Sequence, residues 1–445
     1  MQGIRASFRD ILRYPSALVG LAIILVLVAT AIYAVIKIPY NQAISVWRGG
    51  ESAWYKNPKF APPAWFNLFS STKRPVSYAV NTRDGGMTKT VTPGAQGTST
   101  IDMAYAFNFE YDEYPQEMMV YFTSKFAQKQ PFVSIVWLTP DGRKIRIDDF
   151  GLPPKINLRF SQDQRLLQRL KGEDPMQALF QDPKTDAIVK GQYQLQISGT
   201  TFEEGSDIDA EFVFHGRLFG LAGTDHQRRD LVVPLLWGAP VALIFGLAAS
   251  LGTLVLTMII AAIGTWYGGW VDELIQRITE VNLVLPFLSI LVMVGVFYSR
   301  SIWVILGVTV ALSIFTGSIK SYRAIFLQVK ESAYIEAARA YGASNPRIIF
   351  NYLIPRMIPL LIPGLVSSVP AFVFLEASLA VLGLGDPVLP TWGKIINDAD
   401  TNGALYKGYY YWIVEPAVLL TVTGFGFAML GFALDRIFNP RLREM

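Results

Sequence analysis

Few residues in this 445-residue chain could carry bond-making chemistry. Its two histidines, His215 and His226, have neither the HExxH spacing nor that of any other metal-ligand set, and no GxSxG elbow occurs. His226 follows Asp225, but such a neighbouring pair is a common surface-loop feature. The absence of cysteine removes disulfides and thiolate sites. Gly393-Lys394 comes nearest to a phosphate-binding loop, yet it lacks the earlier glycine and the following hydroxyl residue, so no ATP hydrolysis is expected on this chain. No catalytic residue, cofactor or metal site is assigned. What remains is polar chemistry set into apolar sequence. Glu376 is a carboxylate inside the apolar run Ile358 to Leu382, where leaving it unpaired costs several kcal/mol. The stretch YIEAARAYGASNPRIIFNYLIPRMIP, Tyr334 to Pro359, sets Glu336, Arg339, Asn345, Arg347, Asn351 and Arg356 between two apolar runs.

The local reading of that stretch is two short helices joined by a bend. ESAYIEAARAYG is rich in helix formers, and Gly342 stands where a helix must stop, because glycine accepts the left-handed conformation after a C-cap. Ser344 can cap a second helix, with Pro346 tolerated in its first turn. The pair is too polar to enter lipid. It either transmits force to a partner or is a solvated connection between two spans. Glu336 has the same two readings: a docking carboxylate, or a surface group pairing with Arg339 at i,i+3 for about 0.2–0.5 kcal/mol.

Composition supplies the frame. Half of the chain is hydrophobic and 17% is charged, too few charges for an ordinary soluble protein. The chain therefore belongs in a membrane. A net charge of +4 without a long Lys/Arg block gives no nucleic-acid signature. A spanning helix needs about 20 apolar residues. Six stretches reach or approach that: Ser16 to Ile38, Val241 to Gly264, Leu283 to Tyr298, Ile302 to Ser318, Ile358 to Leu382 and Pro416 to Ile437. The first is read as a retained anchor, since its apolar run continues past the cleavage-like Ala29-Thr30-Ala31. Arg5, Arg9 and Arg13 before the first span, the basic residues from Lys320 to Arg356, and Arg436, Arg441 and Arg443 place both termini and the polar connection in the cytoplasm.

That orientation leaves Asn41 to Ala222 outside the membrane, where the hydrophobic period changes to two. MMVYFTSKF from Met118, FVSIVWLTPDGRKIRI from Phe132, YQLQISG from Tyr193 and DIDAEFVFHG from Asp207 read as strands, the second a hairpin turning at Pro140-Asp141-Gly142. The expected fold class is an all-α six-helix membrane domain with a mainly β, sandwich-like extracytoplasmic domain between helices 1 and 2. A helical insertion is expected near Gln162 to Leu170, and a loop near Thr92 to Ser99.

EAARAYGASNPRIIFNYLIP resembles the EAA loop of ABC importer permeases: Glu336, Ala337, Ala338 and Gly342 match its defining positions, and the LIP ending at Pro355 matches its end. GTDHQRRDLVVPLLWGAPVAL, GGWVDELIQRITEVNLVLPFL, LEASLAVLGLGDPVLPTWGKII and NPRLRE resemble the dipeptide and oligopeptide branch of that family. Arg228 stands where a glycine usually precedes Arg229-Asp230. The resemblance divides the chain into 1–40 (tail and first helix), 41–222 (β domain) and 223–445 (permease core, with the coupling loop at about 320–357). It implies no enzyme but a permease in the cell membrane, with a second permease in a heterodimer, two cytoplasmic ATP-binding subunits, an extracytoplasmic substrate-binding protein and membrane lipid as partners. Peptides are the implied substrate, with oligosaccharides or metal complexes as the alternative. The coupling residues are then Glu336, Ala337, Ala338, Gly342 and Pro355; Glu376, Gly383 and Gly385 are candidates for a gate or interface. An ion-coupled secondary transporter predicts inverted repeats and several midplane carboxylates, and only Glu376 qualifies. The β domain is expected to be a docking platform or a brace.

Overall fold

The computed structural model describes residues 14–438; Arg5, Arg9, Arg13, Asn439, Arg441 and Arg443 lie outside them. The chain divides into two compact units, one of residues up to Arg48 and from Val233 onward, the other Gly49–Val232. The boundary falls deeper into the sequence than the hydropathy change. Tyr40–Arg48 forms a helix that stays with the apolar unit, its Ala43 buried beside Trp237, while the polar hairpin at 223–231 closes on itself through Leu231 N–H to Gly223 O, 3.1 Å, and stays with the β unit.

The Gly49–Val232 unit is a β-sandwich. One sheet has the order β1 (Tyr78–Asn81), β9 (Asp207–His215), β4 (Glu117–Lys125), β7 (Lys155–Arg159). The other runs β2 (Thr88–Pro93), β3 (Ser99–Phe109), β8 (Gly191–Thr201), β5 (Phe132–Leu138), β6 (Lys144–Gly151). Every neighbouring pair is antiparallel. Alternation does the work: Met118, Val120 and Phe122 of one sheet and Val133, Ile135 and Trp137 of the other point into one shared core. All four expected strand segments are strands here. The β5–β6 turn has Gly142 at φ +85°, the conformation that glycine supplies without steric cost, and Gln164–Arg169 is the helical insertion, capped by Asp163.

The other unit is helical: α1 (Pro15–Lys37), α2 (Tyr40–Arg48), α3 (Val232–Tyr267), α4 (Gly269–Val284), α5 (Phe287–Phe297), α6 (Ile302–Ile314), α7 (Gly317–Lys330), α8 (Ala333–Ala340), α9 (Ile354–Leu379), α10 (Trp392–Thr401) and α11 (Tyr411–Phe438). Among the described residues four helices are long and apolar enough to cross a membrane, or six if each of two bent pairs is one span. Each bend falls inside a stretch expected from sequence to span, Leu283 to Tyr298 and Ile302 to Ser318. α4 and α5 meet at 79° because Pro286 has no N–H and forces Leu285 into extended backbone, φ −68° and ψ 135°. α6 and α7 meet at 50° at Phe315-Thr316. The carbonyls freed there are taken by Asn282 Nδ2, 2.8 Å to Leu312 O and 2.7 Å to Phe315 O, and by Thr257 Oγ1, 3.1 Å to Ile314 O. A break in a span is tolerated only where its backbone is paired in this way.

α3 begins nine residues earlier than Val241, where Asp230 Oδ1 accepts the Val232 N–H at 2.9 Å. Small residues set the helix contacts. A side chain on Gly20 of α1 would meet Gly426 O at 2.7 Å and Leu430 N at 2.8 Å of α11, so the two backbones touch. Gly246, Gly424 and Gly431 are filled in the same way by Val373, Phe374 and Ser367 of α9. The aromatic residues at Trp392 and Tyr406–Trp412 divide between surface and core. Tyr406 is 96% exposed, but Trp392, Tyr411 and Trp412 are buried, and the Trp392 ring rests on Gly238 while its Nε1 donates to Leu235 O at 2.8 Å.

Candidate functional site

α8 carries the EAAR stretch, and its end is set by a paired backbone turn. Gly342 N–H donates to Arg339 O at 2.9 Å and Ala343 N–H to Ala338 O at 3.0 Å, with Gly342 at φ +76°. This is the Schellman arrangement, which a side chain at Gly342 would strain. Ser344 has the N-cap position of the following turn but makes no side-chain capping bond, and Asn345-Pro346 opens that turn. Ile335 and Ala338 are buried, whereas Tyr334, Glu336, Ala337 and Tyr341 are exposed. The helix therefore has one face committed to the protein and one open. Beside the open face Ala337, Ala338, Gly342, Arg347 and the rings of Tyr334 and Tyr341 border a recess of about 370 Å³. The Glu336–Arg339 pair does not form. Arg339 lies instead over the Trp266 ring, 4.5 Å from its centroid, and among the described residues Glu336 makes no ion pair.

Around α8 the connections are short and polar. Lys330 Nζ, at the end of α7, donates to Thr265 O at 2.9 Å and Trp266 O at 3.0 Å, the orphan carbonyls at the C-terminus of α3. Arg323 of α7 grips Asp272 of α4 through Nε at 2.8 Å and Nη2 at 2.5 Å. Beneath them Ile335, Phe326, Trp266, Ile348 and Met357 share one apolar core. Pro355, exposed in the first turn of α9, follows a π-turn at Ile349–Leu353. A proline has no N–H and its ring crowds the carbonyl four residues back; the wider turn relieves both.

Glu376, Gly383 and Gly385 form a separate group at the other end of α9; 22 residues between Ile354 and Glu376 amount to about 33 Å of helix. Glu376 is 7% exposed and, with Gly385, borders a small recess that also holds Arg300 and Asp386. Gly383, at φ +80°, ends the helical run in a second π-turn. Gly385 is extended at φ −60° and ψ 153°, and it delivers Asp386, whose Oδ2 accepts the Ile302 N–H at 3.0 Å and so caps α6. Lys394 Nζ in turn holds Pro387 O at 3.0 Å. The structure thus puts the first predicted set on α8, its terminal turn and the start of α9, and the second at the far end of α9, and does not bring them together.

Trp266, Lys330, Asp272, Arg323 and Asp386 were not among the residues expected from sequence. Asp386 had a signal, a carboxylate immediately after a Gly-Leu-Gly break. The others act across 51 to 73 residues of sequence, where no local spacing marks a pair.

Residues 253–444 match the family described as binding-protein-dependent transport system inner membrane component. The oligopeptide transport system permease protein OppC of Bacillus subtilis is 31% identical over 227 residues, covering 50% of this chain and 72% of the relative. The dipeptide transport system permease protein DppC of the same organism is 29% identical, covering 50% and 69%. The glutathione transport system permease protein GsiD of Pectobacterium atrosepticum is 26% identical, covering 50% and 73%.

Proposed function

The chain belongs to the family of binding-protein-dependent transport system inner membrane components, and we propose that it is one of two permease subunits that share a translocation pathway, with α8 as the seat of a separate ATPase subunit. It is a multi-pass membrane permease of an ABC importer in the dipeptide and oligopeptide class. A substrate-binding protein and ATPase subunits are its working partners. Six spans put both termini in the cytoplasm of the cell membrane, the second permease is a different chain, two ATPase subunits dock below, and the β unit lies outside as a platform for the substrate-binding protein or a brace on the partner permease.

The observation that carries the coupling role is the two-faced placement of α8. Its inner face is fixed to the end of α3 through Arg339 and Trp266, and its outer face offers Glu336, Ala337 and two tyrosines beside an open recess. Small alanines let a partner surface approach the backbone, and Glu336 is available to a basic group on it. When ATP closes the ATPase pair, displacement of α8 reaches α3 through Trp266 and Lys330, and α9 through the π-turn before Pro355. At the far end of α9, Glu376, Gly383 and Gly385 are placed to convert that motion into gating. Glu376 acts there as an interface or gate residue.

The test is reconstitution. The purified chain alone hydrolyses no ATP, the complex containing it does, and the ligand carried by the co-eluting binding protein identifies the cargo as a peptide. Robust hydrolysis by the isolated chain would sink the assignment.

A further inference from the structure

We infer that the loop Trp65–Phe69, together with Leu221, is a foot by which the β unit rests on a lipid surface. This goes beyond the permease reading and does not depend on cargo. Leu68 and Phe69 are 80% and 84% exposed, Leu221 is 76% exposed, and Trp65 lies beside them at 41%. They form a contiguous group: Trp65 Nε1 donates to Leu221 O at 2.9 Å, and Ala64 N–H to Gly220 O at 2.9 Å. The group is built, not frayed. Asn67 and Arg74 exchange hydrogen bonds of 2.9 and 3.0 Å across the neck of the loop, and Ser70 meets Thr72 at 3.1 Å, so the two apolar side chains are held out at the tip. The ordering cost of presenting them has been met by the fold.

Position selects lipid over a protein partner. Leu231 N–H binds Gly223 O and Val232 begins α3, so Leu221 is held within about 18 Å of the first residue of a membrane-crossing helix by chain geometry alone. A 36-residue helix is about 54 Å long, more than the hydrocarbon core of about 30 Å, so its first turns stand in or just beyond the headgroup layer. Trp, with an apolar ring and a polar N–H, is a residue that settles in that layer, the exposed Leu68, Phe69 and Leu221 add apolar area that can enter the acyl boundary, and the exposed Lys73 follows four residues after Phe69.

The experiment uses the full chain in nanodiscs. The native sequence has no cysteine, so Ser71→Cys, exposed and making no side-chain bond among those described, takes a single environment-sensitive fluorophore beside an intact Leu68-Phe69. A matching label at Ala95→Cys, exposed in the β2–β3 turn at the opposite end of β3 from Asp112 and Lys73, is the reference. Lipids nitroxide-labelled near the headgroup are expected to quench most of the Ser71→Cys signal, lipids labelled at the chain end less, and the double change Leu68→Ser with Phe69→Ser is expected to abolish the difference from the reference. Equal quenching at both positions overturns the inference. So does quenching that survives the double change, or quenching that disappears when the partner subunits assemble, since a protein would then be the occupant.

Discussion

The guanidinium of Arg339 stacks on the indole of Trp266 at 4.5 Å, while Lys330 Nζ, 5.8 Å from the same ring, caps the carbonyls at the end of that helix. Two cations from two successive helices thus converge on one aromatic at the end of α3. A rigid coupling helix resting on lipid-facing apolar side chains could slide; one keyed to a ring and two carbonyls must move with them.

Removing the ring separates docking from coupling. Trp266→Ala deletes a cation–π contact of about 0.5–2 kcal/mol and, because the ring is buried in the core beneath α8, adds a cavity cost of about 3–5 kcal/mol, while changing no residue on the outer face of α8. The ATPase subunits are expected to co-purify with the variant, while ATP hydrolysis loses its stimulation by the loaded binding protein and transport falls at least as much. Trp266→Phe, which keeps a ring, should recover part of both. Normal transport by Trp266→Ala would show that the key is elsewhere.

Gly342→Val tests the bend itself. At φ +76° nothing lies within 4 Å of the added Cβ, so the penalty is conformational only, about 1–2 kcal/mol for a left-handed β-branched residue. The Schellman bonds to Ala338 and Arg339 should open, turning α8 away from its partner. Pull-down of the ATPase subunits should weaken while the variant still inserts and resists extraction by carbonate. A fully assembled, transporting Gly342→Val complex would remove the bend from the coupling path.

In the β unit Arg228 takes a backbone conformation that favours glycine, φ +64°, and its side chain is put to use. It holds Asn57 O at 2.7 Å and His215 Nδ1 at 3.3 Å. An arginine can only donate, so Nδ1 accepts and the His215 proton sits on Nε2, against Tyr55 O at 3.0 Å. Burial first, and the charge of Arg228 next, push His215 down to about 4. Its folded value lies below the ordinary 6.5. As pH falls from 6.5 to 4 the unfolded chain therefore gains a proton that the fold refuses. The stability present above pH 6.5 is lost progressively across that window, by about 3 kcal/mol in all. Limited proteolysis of the Gly49–Val232 unit should accelerate over that range in the native chain and much less in His215→Gln. In Arg228→Gly, histidine hydrogen exchange read by mass spectrometry should place His215 higher than in the native chain.

What the sequence displayed and what it hid divide along physical lines. Periodicity exposed β4, β5, β8 and β9, each of which alternates inward and outward over about six residues or more, and β6 followed from the hairpin turn after β5. β3 carries the same inward alternation at Ile101, Met103 and Phe109. β2 carries exposed threonines at an edge and β7 has five residues, so neither stands out. Along α8, Gly342 was legible because one residue type meets one backbone demand. The partner of Arg339 was not: i,i+3 spacing offered Glu336, and the fold supplied a ring 73 residues away, over whose face an exposed guanidinium can rest without giving up its water. Glu376, Gly383 and Gly385 declared themselves as polar or helix-breaking positions, whereas Asp386 became meaningful only once its carboxylate was seen on the Ile302 N–H.

Sidedness is the assignment on which the others stand, and the structure improves the choice of probes. Ser344 is exposed and makes no capping bond, so Ser344→Cys should leave the coupling segment undisturbed. On the β unit Ser99 is half-buried and paired with Thr201 in the β3–β8 ladder, whereas Ala95 is exposed in the β2–β3 turn. Ala95→Cys is the better outside reporter. With no native cysteine to compete, an impermeant maleimide applied to cells whose outer barrier, if any, has been opened should label Ala95→Cys and leave Ser344→Cys untouched until the membrane is permeabilised. The reagent carries fixed charge, and the penalty for moving it through about 30 Å of hydrocarbon makes the distinction all-or-none on the timescale of labelling. Labelling of Ser344→Cys in sealed cells would put α8 on the outer side, beyond the reach of any cytoplasmic ATPase, and the coupling role of Glu336, Ala337, Ala338, Gly342 and Pro355 would fall with it.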